Sequence, residues 1–264
     1  MVKYAIIAVE GNHDQALVSR LLKLLGFNKF KGEESKLENF WKKFIPTYPK
    51  NGKLYTRLNM PSILFNDSLS VAIYVGGGSN LAENLDDTFC IYPEYQTDIT
   101  AFGIIVDADN NTPEIVVEKY REILKDYFPN FPNQPGVVAK NISNIARTGI
   151  YVLPDNNSQG VLDTLLCECG EIAYPEYMER AKSYLDNFSK EERESKPLKW
   201  KPFDDKKALI ATVVSVLNPG QTNTASIADK DNDWVSETTI KEVTSLKQLQ
   251  NFLIDLLELT DVAG

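Results

Sequence analysis

Histidine and cysteine are scarce in this chain of 264 residues. His13 is the single histidine, so one chain cannot build a zinc site with two imidazoles, and a Ser-His-Asp triad would have to use His13. The three cysteines, Cys90, Cys167 and Cys169, cannot all pair and do not indicate a disulfide framework. The composition therefore favours a reducing, cytoplasmic location.

Long apolar runs and an excess of basic residues are also missing. No run approaches the ~20 residues that a membrane-spanning helix needs, and the first residues do not form a signal peptide, so we expect no membrane partner. The 28 Lys and Arg against 37 Asp and Glu give a net charge of −9. That charge argues against bulk adhesion to nucleic acid, although a local basic groove or a metal bound by carboxylates would still allow contact with phosphate.

Short apolar runs alternate with amphipathic helix patterns along the first part of the chain. Four runs typical of strands covered on both faces occur at residues 4–9, 71–75, 102–106 and 149–153. This alternation predicts an α/β protein with a central, mainly parallel sheet and helices on both faces. We expect this core over residues 1–170, with an irregular insertion at about 28–70. A helical C-terminal part over 171–264 is expected to pack on the core.

The cleanest amphipathic pattern lies near the C-terminus, between Leu246 and Leu257. Its leucines and one phenylalanine recur at helical spacing and form a single apolar stripe. The sequence leaves open whether this helix packs within the chain or forms the seam of a homodimer.

Acidic residues follow three of the predicted strands, where ligands gather in parallel sheets. Glu10 follows the first strand, Asp107 and Asp109 follow the third, and Asp155 follows the fourth. Side chains alternate along a strand, so Asp107 and Asp109 would point the same way if the strand continues through them. Two such oxygen ligands suit Mg²⁺ or Mn²⁺. The alternative is that residues 107–111 form a simple polar turn.

A second carboxylate, Asp14, stands four residues after Glu10. Glu10 ends an apolar strand abruptly and is followed by glycine, which favours a role at the edge of the sheet. Asp14 is suited equally to capping the following helix and to joining a metal site.

These residues resemble the TOPRIM domain of topoisomerases, primases and the nucleases of the OLD (overcoming-lysogenisation-defect) type. The resemblance rests on Val9-Glu10-Gly11-x-x-Asp14 and on Ile105-Val106-Asp107-Ala108-Asp109. More narrowly, residues 76–80, 153–163 and 205–220 are similar to an uncharacterised bacterial and archaeal TOPRIM-related family of about this length. The resemblance extends from about residue 4 to 235 and implies a TOPRIM/Rossmann-like fold.

In TOPRIM domains a strand-end glutamate and a later DxD hold a divalent metal for phosphodiester chemistry. The resemblance therefore implies that Glu10, Asp107 and Asp109 bind Mg²⁺ or Mn²⁺ for nuclease-type hydrolysis of DNA or RNA. OLD-type nucleases add a later acidic pair and a lysine. The residues available here for second-metal, positioning and charge-stabilising roles are Asp14, Asp155, Asp163, Lys206 and Lys207. No pattern decides among them, and Asp163 is expected on a solvated flank of its helix.

Other interpretations stay open. Haloacid-dehalogenase-type phosphatases and sugar-nucleotide transferases also place DxD after an apolar strand, but neither calls for Glu10 and Asp14 on the first strand. A TOPRIM-like module that binds nucleic acid, nucleotide or protein without turnover is favoured by the negative charge and by the unassigned second acidic set. Residues 76–78 lack the spacing of a nucleotide P-loop and predict a flexible turn, and His13 is expected in a solvated loop.

Overall fold

The computed structural model of this protein describes residues 2–45, 60–140 and 146–259. These residues form one seven-stranded sheet with the order β2-β3-β4-β1-β5-β7-β6. The strands are β1 (Lys3–Val9), β2 (Asn28–Lys29), β3 (Ser62–Phe65), β4 (Leu69–Val75), β5 (Ala101–Asp107), β6 (Val138–Ala139) and β7 (Arg147–Leu153). The four central strands, β4, β1, β5 and β7, are parallel neighbours, and the short edge strands pair antiparallel.

Helices lie on both faces of this sheet. They are α1 (Asn12–Leu24), α2 (Leu81–Ile91), α3 (Glu94–Thr97), α4 (Pro113–Leu124), α5 (Leu162–Ala173), α6 (Pro175–Leu185), α7 (Lys190–Glu194), α8 (Asp204–Leu217), α9 (Asn223–Ala228), α10 (Glu237–Glu242) and α11 (Thr244–Leu256). The predicted α/β class, with a mainly parallel sheet and a helical C-terminal part, is confirmed. Within the described ranges, no helix is both long and apolar enough to cross a membrane.

Strand β1 shows why this sequence forms a sheet with two covered faces. Ala5, Ile7 and Val9 are fully buried in the core that contains α1, α5 and α11. Ile6 and Ala8 are fully buried in the opposite core, beneath α2 and α4. Because successive side chains alternate between faces, a continuous apolar run is what a doubly covered strand requires.

The predicted irregular insertion at 28–70 contains sheet structure. It contributes β2, β3 and the first residues of β4, with short 3₁₀ turns at Glu34–Lys36 and Asn39–Lys43. Trp41 is fully buried, and its indole Nε1 donates a hydrogen bond of 2.9 Å to Ser70 Oγ. The remainder of that predicted insertion, residues 46–59, lies outside the described residues.

Helix α11 packs directly on the sheet at two glycines. A Cβ atom added to Gly103 would lie 2.4 Å from Leu256 Cδ2, and one added to Gly149 would lie 2.8 Å from Phe252 Cε2. The apolar stripe of α11 is thus buried within the chain at positions where a larger residue would clash. A dimer through this helix would have to use its exposed side.

Candidate functional site

A cleft of about 480 Å³ opens at the carboxyl ends of the parallel strands. Strands β4 and β5 flank β1, and the crossovers after β1 and after β4 run on opposite faces of the sheet. This reversal creates the crevice in which open α/β sheets bind ligands. The cleft is lined by Glu10, Gly11, Asn12, His13, Asp14, Val75, Gly77, Gly78, Asp107, Leu162, Asp163, Lys207 and Thr224.

Glu10 and Asp107 are brought together by strand register. Val9 pairs with Ile105 in the parallel β1–β5 ladder, so both strands end at the same edge. Burial, together with the charges of Asp14 and Asp109, raises the pKa of Glu10 to about 7. Lys119 and the backbone amide of Asp107 act in the opposite direction. The charged form of Glu10 is therefore only partly compensated by its surroundings.

Asp107 lies against the start of helix α5. Its Oδ1 accepts a hydrogen bond of 2.7 Å from the backbone N–H of Leu162, the first residue of that helix. Burial raises the pKa of Asp107 well above its usual value, and the charges of Asp14 and Glu10 add to the effect. The hydrogen bond from Leu162 lowers the pKa without cancelling these causes.

Asp14 stabilises the start of α1 and also lines the cleft. Its Oδ2 accepts a hydrogen bond of 2.8 Å from the backbone N–H of Gly11, which orders the first turn of α1. The side chain also lines the cleft, and the residue is only 6% exposed. Burial raises the pKa of Asp14 to about 7, and the charge of Asp163 contributes.

Asp163 corrects the expectation of a solvated flank. The residue is only 5% exposed, lines the cleft from the first turn of α5, and its Oδ1 has no hydrogen-bond partner among the described residues. Burial raises its pKa, whereas the charges of His13 and Lys207 lower it. An apolar stripe in the sequence does not reveal this burial, because helix α8, which packs against α5, comes much later in the chain.

The structure separates the two candidate lysines. Lys207 lines the cleft, and its Nζ lies 3.6 Å from Asp204 Oδ1. Lys206 does not line the cleft, and its Nζ lies 3.3 Å from Asp205 Oδ2. His13 also lies in the cleft, half-buried in the first turn of α1 instead of in a solvated loop.

Asp109 and Asp155 lie outside the cleft lining. Strand β5 ends at Asp107, and Asp109 adopts a φ of 50° while its backbone exchanges hydrogen bonds with Gly160. The side-chain alternation expected from a continuing strand is therefore absent, although the charge of Asp109 still acts on Glu10. Asp155 accepts hydrogen bonds of 2.9 Å and 2.7 Å from the backbone N–H groups of Asn157 and Ser158, which makes it the organiser of its own turn.

The glycine turn after β4 forms the facing wall of the cleft. The backbone N–H groups of Gly76 and Gly78 donate hydrogen bonds of 2.9 Å to the carbonyls of Val9 and Glu10. Gly77 and Gly78 have φ angles of 77° and 70°, a conformation that glycine adopts without strain. Thr224, from helix α9, completes the wall, and no pattern in the sequence pointed to it.

The carboxylates do not form a preassembled metal cage. In the part of the chain that the structure describes, no group of three or more His, Cys, Asp or Glu side chains is arranged to hold a metal ion. The donor chemistry still fits a hard cation, because the cleft offers buried carboxylate oxygens and one of them, Asp163 Oδ1, lacks a partner.

The fold and the cleft define an α/β protein with buried carboxylates at the carboxyl edge of a parallel sheet. Residues 4–258 match the model of a family described as Protein of unknown function (DUF3226), and the chain belongs to this family. Its fold is similar to the crystal structure of the hypothetical protein PH0156 from Pyrococcus horikoshii OT3. The TM-score is 0.52 at 16% identity, with 96% of this chain and 100% of that chain covered. No curated protein matches the chain.

Proposed function

We propose that this protein hydrolyses phosphodiester bonds in nucleic acid with the help of Mg²⁺ or Mn²⁺, as the resemblance to TOPRIM domains implies. The observation that carries the proposal is the clustering of four carboxylates around one cleft, with Asp14 and Asp163 buried and Glu10 and Asp107 half-buried. Crowded, buried carboxylates are costly as anions unless a cation accompanies them. A divalent cation together with a substrate phosphate would satisfy both the carboxylates and the facing Lys207.

Glu10 and Asp107 are the residues best placed to hold the cation. They end adjacent strands and act on each other electrostatically. Asp109, beyond the end of β5, would contribute from the rim of the cleft. Mg²⁺ commonly binds through one or two carboxylates and keeps several waters for a phosphate substrate, so a complete protein cage is unnecessary.

The remaining cleft residues have separable tasks. When bound, the cation orients the phosphate and stabilises the charge that develops on it. Asp163, with its free Oδ1 and raised pKa, is suited to accept a proton from an attacking water. Lys207 would stabilise negative charge on the phosphate oxygens. Asp14 holds the first turn of α1 and keeps Glu10 and His13 in position.

A panel of substrates tests the proposal. We expect the purified protein, with Mg²⁺ or Mn²⁺, to cleave at least one of supercoiled DNA, linear DNA, single-stranded DNA and RNA, and to lose that cleavage in EDTA. The same panel run on Asp107→Ala/Asp109→Ala detects contamination, because a contaminating nuclease would survive in the double variant. Absence of cleavage from every wild-type reaction would contradict the proposal.

Lys207→Gln is expected to lower turnover by roughly 10²-fold, since a charge-stabilising group in a cleft contributes about that factor. Lys206→Gln is the matched control, because it makes the same change one residue away and outside the cleft lining. The measurement is kcat and KM on whichever substrate the panel identifies. Equal losses in both variants would show that Lys207 has no special role.

A cytoplasmic location belongs to the same proposal. All three cysteines are free, and Cys169 is fully buried within the core. Burial raises the pKa of the Cys167 thiol to about 12, so this thiol is inert at neutral pH. Free, packed thiols are typical of proteins kept in a reducing compartment.

A binding module without turnover is the second candidate function. The observation that favours it is the lack of a preassembled ligand cage within residues 2–45, 60–140 and 146–259. Calorimetry separates the two candidates. Binding of Mn²⁺ with a nucleotide, without cleavage in the substrate panel, would support the binding module.

A further inference from the structure

A basic segment follows the first turn of α1. Residues 15–32 contain Arg20, Lys23, Lys29 and Lys31 and no aspartate or glutamate, in a chain whose net charge is −9. Positive charge is therefore concentrated on one local surface, which bulk composition conceals.

Two of these lysines line a second cavity, of about 440 Å³, at the edge of the sheet, together with one acidic residue, Glu34. Lys29 pairs with Leu64 in the β2–β3 ladder, and Lys31 follows two residues later. Gln15 lines the same cavity, and its Nε2 donates hydrogen bonds of 3.0 Å to the Met60 carbonyl and 3.1 Å to the Ile73 carbonyl. Gln15 directly follows Asp14, which lines the acidic cleft, so the first turns of α1 contribute side chains to both cavities.

The lysines of this surface act on one another electrostatically and form no ion pair with a described carboxylate. Among the residues that the structure describes, no carboxylate oxygen lies within 4.0 Å of the Nζ atom of Lys23, Lys29 or Lys31. Burial and the charges of Lys23 and Lys31 lower the pKa of Lys29. The pKa of Lys23 is lowered by burial, by Arg20 and by Lys31, with Asp229 acting in the opposite direction. An anion between these lysines would relieve their repulsion.

We propose that Lys23, Lys29 and Lys31, the edge lysines, bind the phosphate backbone of a single-stranded nucleic acid whose reacting phosphate lies in the acidic cleft. This inference rests on the proposed function. Strand β2 is three positions from β1 in the sheet, which corresponds to roughly 14 Å at the usual strand spacing. A single-stranded nucleic acid would therefore have to be a few nucleotides long to contact both the edge lysines and the acidic cleft.

The dimensions favour a single strand over a duplex. The cleft, at about 480 Å³, has the size of sites that hold one small ligand, whereas a duplex would need a wide basic surface. The edge lysines supply only three positive charges. Three charges suit contact with one phosphate backbone, as in the positively charged grooves of proteins that bind single strands.

The experiment compares the full-length wild type with the triple variant Lys23→Gln/Lys29→Gln/Lys31→Gln. Fluorescence anisotropy with labelled single-stranded 12-mers of DNA and RNA, in EDTA, measures binding without cleavage. We expect affinity to fall about tenfold at low salt, and the slope of log K against log salt to decrease by about 2, since each single-strand phosphate contact contributes about 0.7. For cleavage, we expect KM for the 12-mer to rise with kcat unchanged, and turnover of bis(p-nitrophenyl) phosphate to be unaffected.

A second triple variant, Lys190→Gln/Lys196→Gln/Lys199→Gln, removes the same charge from exposed positions on the C-terminal part. It is expected to bind the 12-mer as the wild type does, and melting temperatures check that both variants fold. Equal binding of the 12-mer by the wild type and the edge-lysine variant would overturn the proposal. It would also be overturned if the edge-lysine variant lost as much affinity for a duplex of the same length as for the single strand. Absence of all cleavage would contradict the proposed function. Because binding is measured in EDTA and does not depend on cleavage, it would still test whether the edge lysines bind the single strand.

Discussion

Asp107→Asn is expected to lower cation-dependent cleavage by roughly 10³-fold while leaving the fold intact. The substitution removes the carboxylate at the end of β5, which interacts electrostatically with Glu10 and Asp14. It keeps a side-chain oxygen that can accept the 2.7 Å hydrogen bond from the Leu162 N–H, so the start of α5 retains its partner. Loss of activity would then report loss of cation binding and not loss of structure.

Asp155→Asn is the matched control for this substitution. It makes the same chemical change in the turn after β7, but Asp155 organises that turn and does not line the cleft. We expect it to keep cleavage within about twofold and to bind Mn²⁺ with unchanged heat in calorimetry, whereas Asp107→Asn should lose most of that heat. If Asp107→Asn kept wild-type cleavage, Asp107 would have no role in holding the cation.

The second large effect concerns pH and stability. Asp14→Asn is expected to raise the stability of the metal-free protein at pH 8 by on the order of 2 kcal/mol, or roughly 4–8 °C in melting temperature. The pKa of Asp14 is about 7 in the folded protein, above its ordinary value near 3.8. Between these values the folded state holds the proton more tightly than the unfolded state, so wild-type stability falls as pH rises through this window.

Thermal unfolding at pH 4 and pH 8 in EDTA measures this effect. At pH 4 the wild-type carboxyl is largely protonated in the folded state, so the two proteins should melt at nearly the same temperature; the difference should develop towards pH 7 and persist above it. Asp126→Asn, at an exposed position, should show no such difference. A gain of equal size at pH 4 and pH 8 would show that packing, and not charge, is responsible.

Much of the sheet could be predicted from the sequence because its central strands carry a local signal. Strands β1, β4, β5 and β7 are continuous apolar runs, and the residue that ends each run can be recognised from the change in polarity. The edge strands could not be predicted in this way. Strands β2 and β6 have only two residues each, too few to show a pattern of their own, and they exist through pairing with β3 and β7.

The sequence predicts the part of the candidate site that lies at the ends of strands. It does not predict the part that depends on packing between segments far apart in the chain. Glu10 and Asp107 meet because parallel strands end at one edge. Asp109 departs from the predicted alternation because the chain turns immediately after β5, and the burial of Asp163 results from helices that follow it by many residues. The choice of Lys207 over Lys206 depends on how helix α8 is rotated, which the sequence of that helix alone does not specify.

The packing of α11 against Gly103 and Gly149 affects when the chain can finish folding during synthesis. The side chains that fill these two positions, Leu256 and Phe252, lie in the last described helix, whereas the strands that receive them are made more than a hundred residues earlier. A ribosome-bound chain that lacks residues 244–256 leaves one face of β5 and β7 uncovered, with its apolar surface open to water or to a chaperone. Completion of this face of the sheet must therefore wait until translation has passed α11.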